Sequence, residues 1–489
     1  MGIDFFLICQ YINDVNLCIL NFKLQKENEM LTRFTVGNFC SFDKNQTLSL
    51  ISSSIQNHKE RLYQTNDFKL LKFASVFGAN AAGKSNFIKA MSYAQAAILV
   101  GVENEYFENK KEVYFRLNPE NKTKPSYFEF EICIDKSIYA YGFEMIINQK
   151  RITEEWLVKL NKSKDEIIFS RNTSTGSVYF NNGYLSDESN SRMKIYLEDF
   201  QHVTNKTFLS EIVSNKSELY KNNNKMKILK EIHNWIGNLN ISYPDTTITG
   251  YDGFSKKNIS DFLEAIKIFK TGISDVKATE ISKEQALDKI SPSFRKNIEE
   301  AIQKTCPKDC NKDESLCETF GFKMNINGRL IFVTFKNRDP VFTEITFEHF
   351  GIKDVQFSLA EESNGTQRLL DLLSILFTRK DNSIFIIDEI DQSLHPQLTR
   401  KFIENFLHYA KKKDIQLIIS THESHLLDLE MVRQDEIFFV ESTPTGDSVL
   451  YPFDRFKERY DKKIEKAYLD GRYGAVPVFD SIFFPADDK

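Results

Sequence analysis

The sequence has no run of about 18 consecutive apolar residues, so it offers no membrane-spanning helix. Its first 20 residues, MGIDFFLICQYINDVNLCIL, are superficially apolar. Asp4, Asn13, Asp14 and Asn16 interrupt them, however, and no basic segment comes first, which argues against a signal peptide. Met-Gly opens the chain, yet Phe6 stands where myristoylation asks for Ser or Thr. Charge of one sign is scarce: 64 Lys and Arg against 69 Asp and Glu leave a formal net charge of −5. The overall charge therefore does not mark a nucleic-acid binder, although it says nothing about a local basic face. Cysteine is sparse as well, and Cys9, Cys18, Cys40 and Cys133 lie scattered, mostly among apolar neighbours. Only Cys306, Cys310 and Cys317 cluster. Their C-x3-C-x6-C spacing has no close fourth ligand, His349 being the nearest downstream His, so a reduced loop is the better reading than a metal site. Internal repeats, sustained heptads and Asp-x-Asp pairs are all missing, which excludes a solenoid and a long coiled-coil arm and makes a nuclease within this chain unexpected. What remains is a chain expected to be soluble and cytoplasmic, whose 489 residues suffice for roughly two to four domains.

A regular pattern begins at Met30. The run from Met30 to Phe39 alternates like an edge-type strand, and a second alternating run follows over 46–51. Residues 1–29 show little pattern. They read either as an extra strand or as a stretch preceding the true start at Met30, and the latter is favoured. Residues 72–77 (KFASVF) predict a short buried strand, then a Gly-rich turn and a helix over 84–99; strands follow over 127–134 and 138–147. The stretch 156–345 is rich in Lys, Asn, Ser and Glu. It predicts a mainly helical insertion, with amphipathic stretches near 205–240, 258–272 and 292–304 and two strands near 319–335. From 346 to 489 the pattern becomes strand–helix alternation: helix 365–378, strand 383–387, helix 396–409, strand 415–420. The expected fold is α/β with a parallel sheet, split into two halves (30–155 and 346–489) by the insertion.

Four short segments carry chemistry. Gly78-Ala-Asn80-Ala-Ala-Gly83-Lys84-Ser85 matches G-x4-G-K-[ST] between a buried strand and a helix. Its glycines allow backbone N–H groups to face phosphate oxygens, Lys84 can reach the β- and γ-phosphates, and Ser85 offers a hydroxyl to Mg²⁺. Ile384-Phe-Ile-Ile-Asp388-Glu389 is a buried strand ending in two acids, at the strand end where α/β sheets bind ligands. Asp388 is the expected Mg²⁺ ligand, and Glu389 the residue that orients and deprotonates the attacking water. Ser363-Asn-Gly365 opens a helix about 20 residues before Asp388 and makes a second anion-capable helix start, serving a neighbouring subunit's nucleotide if both sites are used. On its own, Ser363 is a good N-cap. Ile418-Ile-Ser-Thr-His422 ends a third buried strand with a His where a γ-phosphate could lie; taken alone, such a His is more often structural. The Lys runs at 221–230 and 411–413 read as solvated faces.

Taken in order, these motifs resemble an ABC-type ATPase. Asn80 and the opening Asn38-Phe39-x-Ser41-Phe42 narrow the resemblance towards the RecF, SMC and OLD branch. The stretches ESNGTQRLL, FIIDEIDQSLHP, STHESHLLD and YLDGRYGAVP look like a bacterial group of stand-alone AAA/ABC ATPases from abortive-infection and restriction-linked operons, the AbiL/RloA-like group. The resemblance covers about 30–160 and 345–480 and matches the middle loosely. It implies an ABC-type P-loop fold and ATP with Mg²⁺ as ligands. It also implies a head-to-tail homodimer in which Gly78, Asn80, Gly83, Lys84 and Ser85 hold nucleotide while Ser363 and Gly365 cap the partner's γ-phosphate. Asp388, Glu389 and His422 would be Mg²⁺ ligand, catalytic acid and switch His. Two departures stand out: Cys40 replaces the basic residue that relatives often carry, and Thr366 separates Gly365 from Gln367. The implied role is the regulatory ATPase of an anti-phage system controlling a separate effector, commonly a TOPRIM-type nuclease. The competing reading is a RecF-like DNA-repair or DNA-end-binding ATPase, which calls for a basic groove and salt-dependent DNA affinity.

Overall fold

The structure is a computed structural model. It describes residues 11–12, 15–19, 29–214, 216–220, 225–244, 246, 259–288, 290–292, 295–296, 298–299, 302, 321–336, 339–352, 355–377, 382–456, 458 and 464–476. Cys306, Cys310, Cys317 and residues 221–224 of the first Lys run lie outside these. The chain forms two compact units, one of Leu31–Phe208 with Leu417–Lys489, the other of Met1–Met30 with Leu209–Gln416.

In the first unit, the strand Phe73–Phe77 is buried at every position, as its apolar run dictates. It pairs in parallel with Gln416–Ser420 from Leu417↔Phe73 onward, and in parallel with Ile437–Ser442 on its other side. Ser448–Pro452 returns antiparallel to Ile437–Ser442. The helix Lys84–Val100 follows the loop, burying Phe87, Ile88, Met91, Ala94 and Ile98 at helical spacing. Gly101, at φ 75°, ends it. The second layer is a seven-stranded sheet in the order Ser177–Phe180, Glu166–Asn172, Arg151–Leu160, Ser137–Ile146, Ser126–Ile134, Glu29–Gly37, Gln46–Ser49. Its aromatic face receives the helix: Phe87 meets Phe34 edge-on at 5.5 Å, and Tyr93 stacks on Phe128 at 5.7 Å. The strand that starts at Glu29 is thus flanked on both sides, not an edge. Gln46–Ser49 takes the rim instead, which explains the near-complete burial of the first against the half-buried second.

The other unit holds a six-stranded antiparallel sheet in the order Tyr11–Ile12, Val15–Ile19, Gly321–Ile326, Arg329–Lys336, Asp339–His349, Ile273–Ile281. Tyr11–Ile12 and Val15–Ile19 thus pair antiparallel at its edge, with Ile19 opposite Phe322. Met324, Ile331, Val333 and Phe342 pack with Leu287 and Ile298 into its core. In the same unit Leu239–Ser242 pairs in parallel with Ile384–Ile387, and the unit also holds the helices Lys227–Gly237, Ile259–Ile268, Asn364–Leu376 and Pro396–Tyr409.

The span 156–345 differs from the mainly helical insertion expected of it. Its described residues mix strands with helices, and its two ends belong to different units. The physical reason lies in buried pairings that composition hides. Arg171 and Glu155, both fully buried, share an ion pair at 2.8 Å. Arg171 also donates to the carbonyls of Val203 at 2.6 Å and Lys206 at 2.8 Å, stitching the chain up to Phe208 onto the strand Arg151–Leu160. Among the described residues, no helix is long and apolar enough to cross a membrane.

Candidate functional site

The loop 78–85 leaves the buried end of Phe73–Phe77 and turns directly into the helix Lys84–Val100, so the first N–H groups of that helix are left to face a ligand. Two glycines are there because nothing larger fits. A Cβ on Gly78 would run into the carbonyl oxygen of Val440. Gly83 has φ +114°, and a Cβ there would press on the hydroxyls of Ser448 and Ser41. Asn80 and Ala81 form the exposed tip, Ala81 at φ 63°. The side chain of Lys84 is buried and curls back over the loop, its Nζ donating to the carbonyls of Gly78 at 2.8 Å and Ala79 at 3.1 Å. It also lies 3.3 Å from Nδ1 of His422. An ammonium has only donors, so in this pair Nδ1 accepts, which places the proton of a neutral His422 on Nε2. The structure therefore brings Lys84 and His422 together at the carboxyl ends of two adjacent parallel strands. The cradle fits a phosphate chain: a bare-backbone turn, a held cation and the half-buried Ser85 hydroxyl.

Asp388 and Glu389 lie in the other unit, at the end of Ile384–Ile387. Asp388 is buried, and its N–H donates to the Ser242 carbonyl at 2.9 Å. Glu389 stands at φ 48°, a left-handed conformation costing a non-glycine residue about 1–3 kcal/mol. A turn then forms, with Gln392 N–H donating to the Glu389 carbonyl at 3.0 Å and Leu394 N–H to that of Asp391 at 3.1 Å. In the same unit Ser363 caps the helix Asn364–Leu376, its Oγ accepting from the Thr366 N–H at 3.1 Å. Ser363 and Asn364 are exposed, so this helix start is open to an outside group. Gly365 is required by the acid turn: a Cβ there would sit 2.7 Å from the Ser393 carbonyl oxygen. Signature and acids thus form one local assembly, while loop and His422 form another. Among the described residues no cluster of three or more His, Cys, Asp or Glu is arranged to hold a metal ion. Mg²⁺ takes oxygen ligands, and each unit carries a donor of that chemistry by itself: the Ser85 hydroxyl in the first and the Asp388 carboxylate in the other.

Several supporting residues were not legible beforehand. The Ser448 hydroxyl donates to the Ala82 carbonyl at 2.6 Å and shares a 2.8 Å hydrogen bond with the Ser41 hydroxyl, and Asn86 donates to Ser41 Oγ at 3.0 Å, so three polar side chains brace the loop. Asn38, at φ 48°, is a structural hub rather than a ligand: its Nδ2 donates to the carbonyls of Asn121 and Lys124, each at 3.0 Å, and its Oδ1 accepts from Phe115 N–H. Cys40 contributes no positive charge, but Lys89 and Arg116 both act on it; burial still pushes its thiol up to about 11. In the signature unit, His349 Nε2 pairs with Glu362 at 2.6 Å, fixing the residue just before Ser363. The segment 471–476 anchors the chain's last described turn: Tyr473 stacks on Phe439 at 6.2 Å, and its carbonyl accepts from the Tyr451 hydroxyl at 2.8 Å.

Comparison with known proteins bears on this geometry. The family described as "AAA domain, putative AbiEii toxin, Type IV TA system" matches residues 73–428, from the loop strand past the switch His. No curated protein matches the chain. Three solved structures are similar. An SMC head bound to the C-winged helix domain of ScpA has 13% identity and TM-score 0.38, covering 87% of this chain and 99% of that one. The SMC head domain from Thermotoga maritima has 12% identity and TM-score 0.31, covering 86% and 98%. An Smc head with an extended coiled coil, bound to the C-terminal domain of ScpA derived from Pyrococcus furiosus, has 13% identity and TM-score 0.37, covering 91% and 100%. With the family match spanning well over half of the sequence and all four motifs, the chain belongs to the AAA-domain family of the putative AbiEii toxin, type IV toxin–antitoxin system.

Proposed function

We propose that this chain binds ATP with Mg²⁺ at the loop 78–85 and hydrolyses it as a head-to-tail homodimer, Ser363 and Gly365 of one copy reaching the γ-phosphate held by the other. The observation that carries the reading is the posture of Lys84: a buried ammonium held on two loop carbonyls beside His422. Such a cation is ready to exchange neutral carbonyls for phosphate oxygens, a stronger charge-assisted contact. Ser85 and Asp388 would hold the Mg²⁺ that accompanies the nucleotide, and that ion would supply neutralisation of the charge developing during transfer. Glu389 orients a water and takes its proton as the water oxygen bonds to the γ-phosphorus and the bond to the β,γ-bridging oxygen breaks. His422 offers its Nε2–H to the transferred phosphoryl group. Ser363 is exposed and carries an N–H-rich helix start, which suits a phosphate arriving from a second copy.

At the level of the cell, we read the chain as the regulatory ATPase of an anti-phage, abortive-infection system that restrains or releases a separate effector, a TOPRIM-type nuclease by the resemblance of ESNGTQRLL and FIIDEIDQSLHP to the AbiL/RloA-like group. The toxin–antitoxin description of the family supports a defence setting. Single-turnover hydrolysis with Mg²⁺ tests the engine. Glu389→Gln should retain ATP binding, lose about 100-fold or more in rate, and accumulate an ATP-bound dimer in light scattering. Equal rates for the variant and the parent would remove Glu389 from the role. Co-purification with the product of a neighbouring nuclease gene tests the regulatory part.

A further inference from the structure

The guanidinium of Arg368 is an anomaly. Arg368 lies on the helix Asn364–Leu376, in the turn after Gly365, and is 7% exposed. Its Nε, Nη1 and Nη2 are all buried without a hydrogen-bond partner among the described residues. Arginine brings five N–H donors and a charge that is never shed, so burying all of them unpaired costs several kcal/mol by order of magnitude. Only electrostatics offset this cost: burial pulls its pKa below the ordinary arginine value, while the carboxylates of Asp371, Asp388 and Asp391 pull it back up. Asp371 is on the same helix one turn further along. Asp388 is the proposed Mg²⁺ ligand, and Asp391 belongs to the turn that follows Glu389. A second, independent contact ties the same two elements together, since Gly365 closes on the Ser393 carbonyl in that turn.

We infer that Arg368 is a positioning residue that couples Mg²⁺–nucleotide occupancy at Asp388 to the presentation of Ser363 and Gly365, by changing the carboxylate it serves. This inference rests on the ATPase reading above. Arg368 is shared electrostatically among three carboxylates, and its guanidinium has no hydrogen-bond partner among the described residues. Were Asp388 to turn its charge to a bound cation, Arg368 would lose part of that attraction and close a hydrogen-bonded pair with Asp391. Closing it draws the acid turn against the first turn of the signature helix. The exposed helix start is then held in one orientation, the one offered to a partner's phosphate. A guanidinium that already had its hydrogen bonds could not respond in this way, because the existing bonds would have to be broken first.

The test measures ATP-dependent dimerisation by light scattering at increasing Mg²⁺, alongside nucleotide affinity and melting temperature, in the full chain. The wild type is expected to dimerise with ATP as Mg²⁺ is raised. Asp391→Asn should shift the Mg²⁺ midpoint for dimerisation upward about tenfold, within the usual range of coupling effects, with ATP affinity at the loop changed less than about threefold. Arg368→Gln should do the same, Arg368→Lys should recover part of the shift, and the double variant Arg368→Gln/Asp391→Asn should be no worse than the worse single. A wild-type midpoint in Asp391→Asn overturns the coupling, even if Arg368→Gln proves too unstable to assay. Shifts that multiply in the double variant also overturn it, because they would mean the two residues act separately. A wild-type chain that binds no ATP would instead defeat the ATPase reading itself, an outcome visible before any variant is made.

Discussion

Two helix starts in this molecule could each hold an anion, and they are built in opposite ways. The start at Lys84 is sunk behind a glycine turn, its lysine buried and its rear braced by Ser41, Asn86 and Ser448. The start at Asn364 is exposed and capped by the Ser363 side chain, and the buried Arg368 guanidinium on the same helix has no hydrogen-bond partner among the described residues. A buried cradle around a cation keeps what it binds. An exposed, side-chain-capped start needs its ligand delivered by something else. On the function proposed above, the first is a resident site and the second a visiting one, and burial is what separates two sequence patterns of similar brevity.

The sharpest way to break the comparison is at the resident site. Lys84→Ala removes the charge-assisted contacts on which the loop depends and should weaken ATP affinity on the order of a hundredfold, measured by titration with a fluorescent nucleotide. Affinity close to that of the parent would mean that the loop does not hold the phosphates. At the visiting site the expected effects separate stability from assembly. Ser363→Ala should cost about 1 kcal/mol through the lost cap, whereas Ser363→Asp keeps the cap and places a negative charge where a phosphate would arrive. The Asp variant should melt near the parent and yet fail to dimerise with ATP. Dimerisation of Ser363→Asp at parental ATP concentrations would make the serine a cap and nothing more.

The smallest expected effect concerns the frame of the first unit. Glu436 is fully buried beside Arg61 at 3.3 Å, and burial outweighs that partner, pushing its carboxyl from 4.5 up to about 7. An acid with a raised folded-state value contributes its stability fully below pH 4.5 and loses it as pH climbs through about 7. Glu436→Gln removes that loss, so its melting temperature relative to the parent should rise steadily between those two pH values. A difference independent of pH would show that the carboxyl does not titrate there.

How much of this was legible in the sequence depended on whether a local rule or a distant partner decides the structure. The loop 78–85, the strand Ile384–Ile387 and the helix Pro396–Tyr409 were readable because glycine, apolar runs and a proline at the first turn act locally. The N-cap at Ser363 was readable for the same reason. The strand from Glu29 to Gly37 was mistaken for an edge because its outer neighbour, Ser126–Ile134, lies far along the chain. The span 156–345 concealed its strands in Lys- and Asn-rich composition, since β-structure depends on cross-strand partners more than on residue type. In the candidate site, Ser448 and His349 carried no motif, and Arg368, though inside ESNGTQRLL, was assigned no role. Each matters only through what folding sets beside it.

The brace behind the phosphate loop has a consequence for how the protein is made. Ser448 bonds to the carbonyl of Ala82 across 366 positions of sequence. On a ribosome the loop's own residues emerge well before the hydroxyl that steadies them. A nascent chain would carry the whole loop motif and still lack this backing until Ser448 has been made.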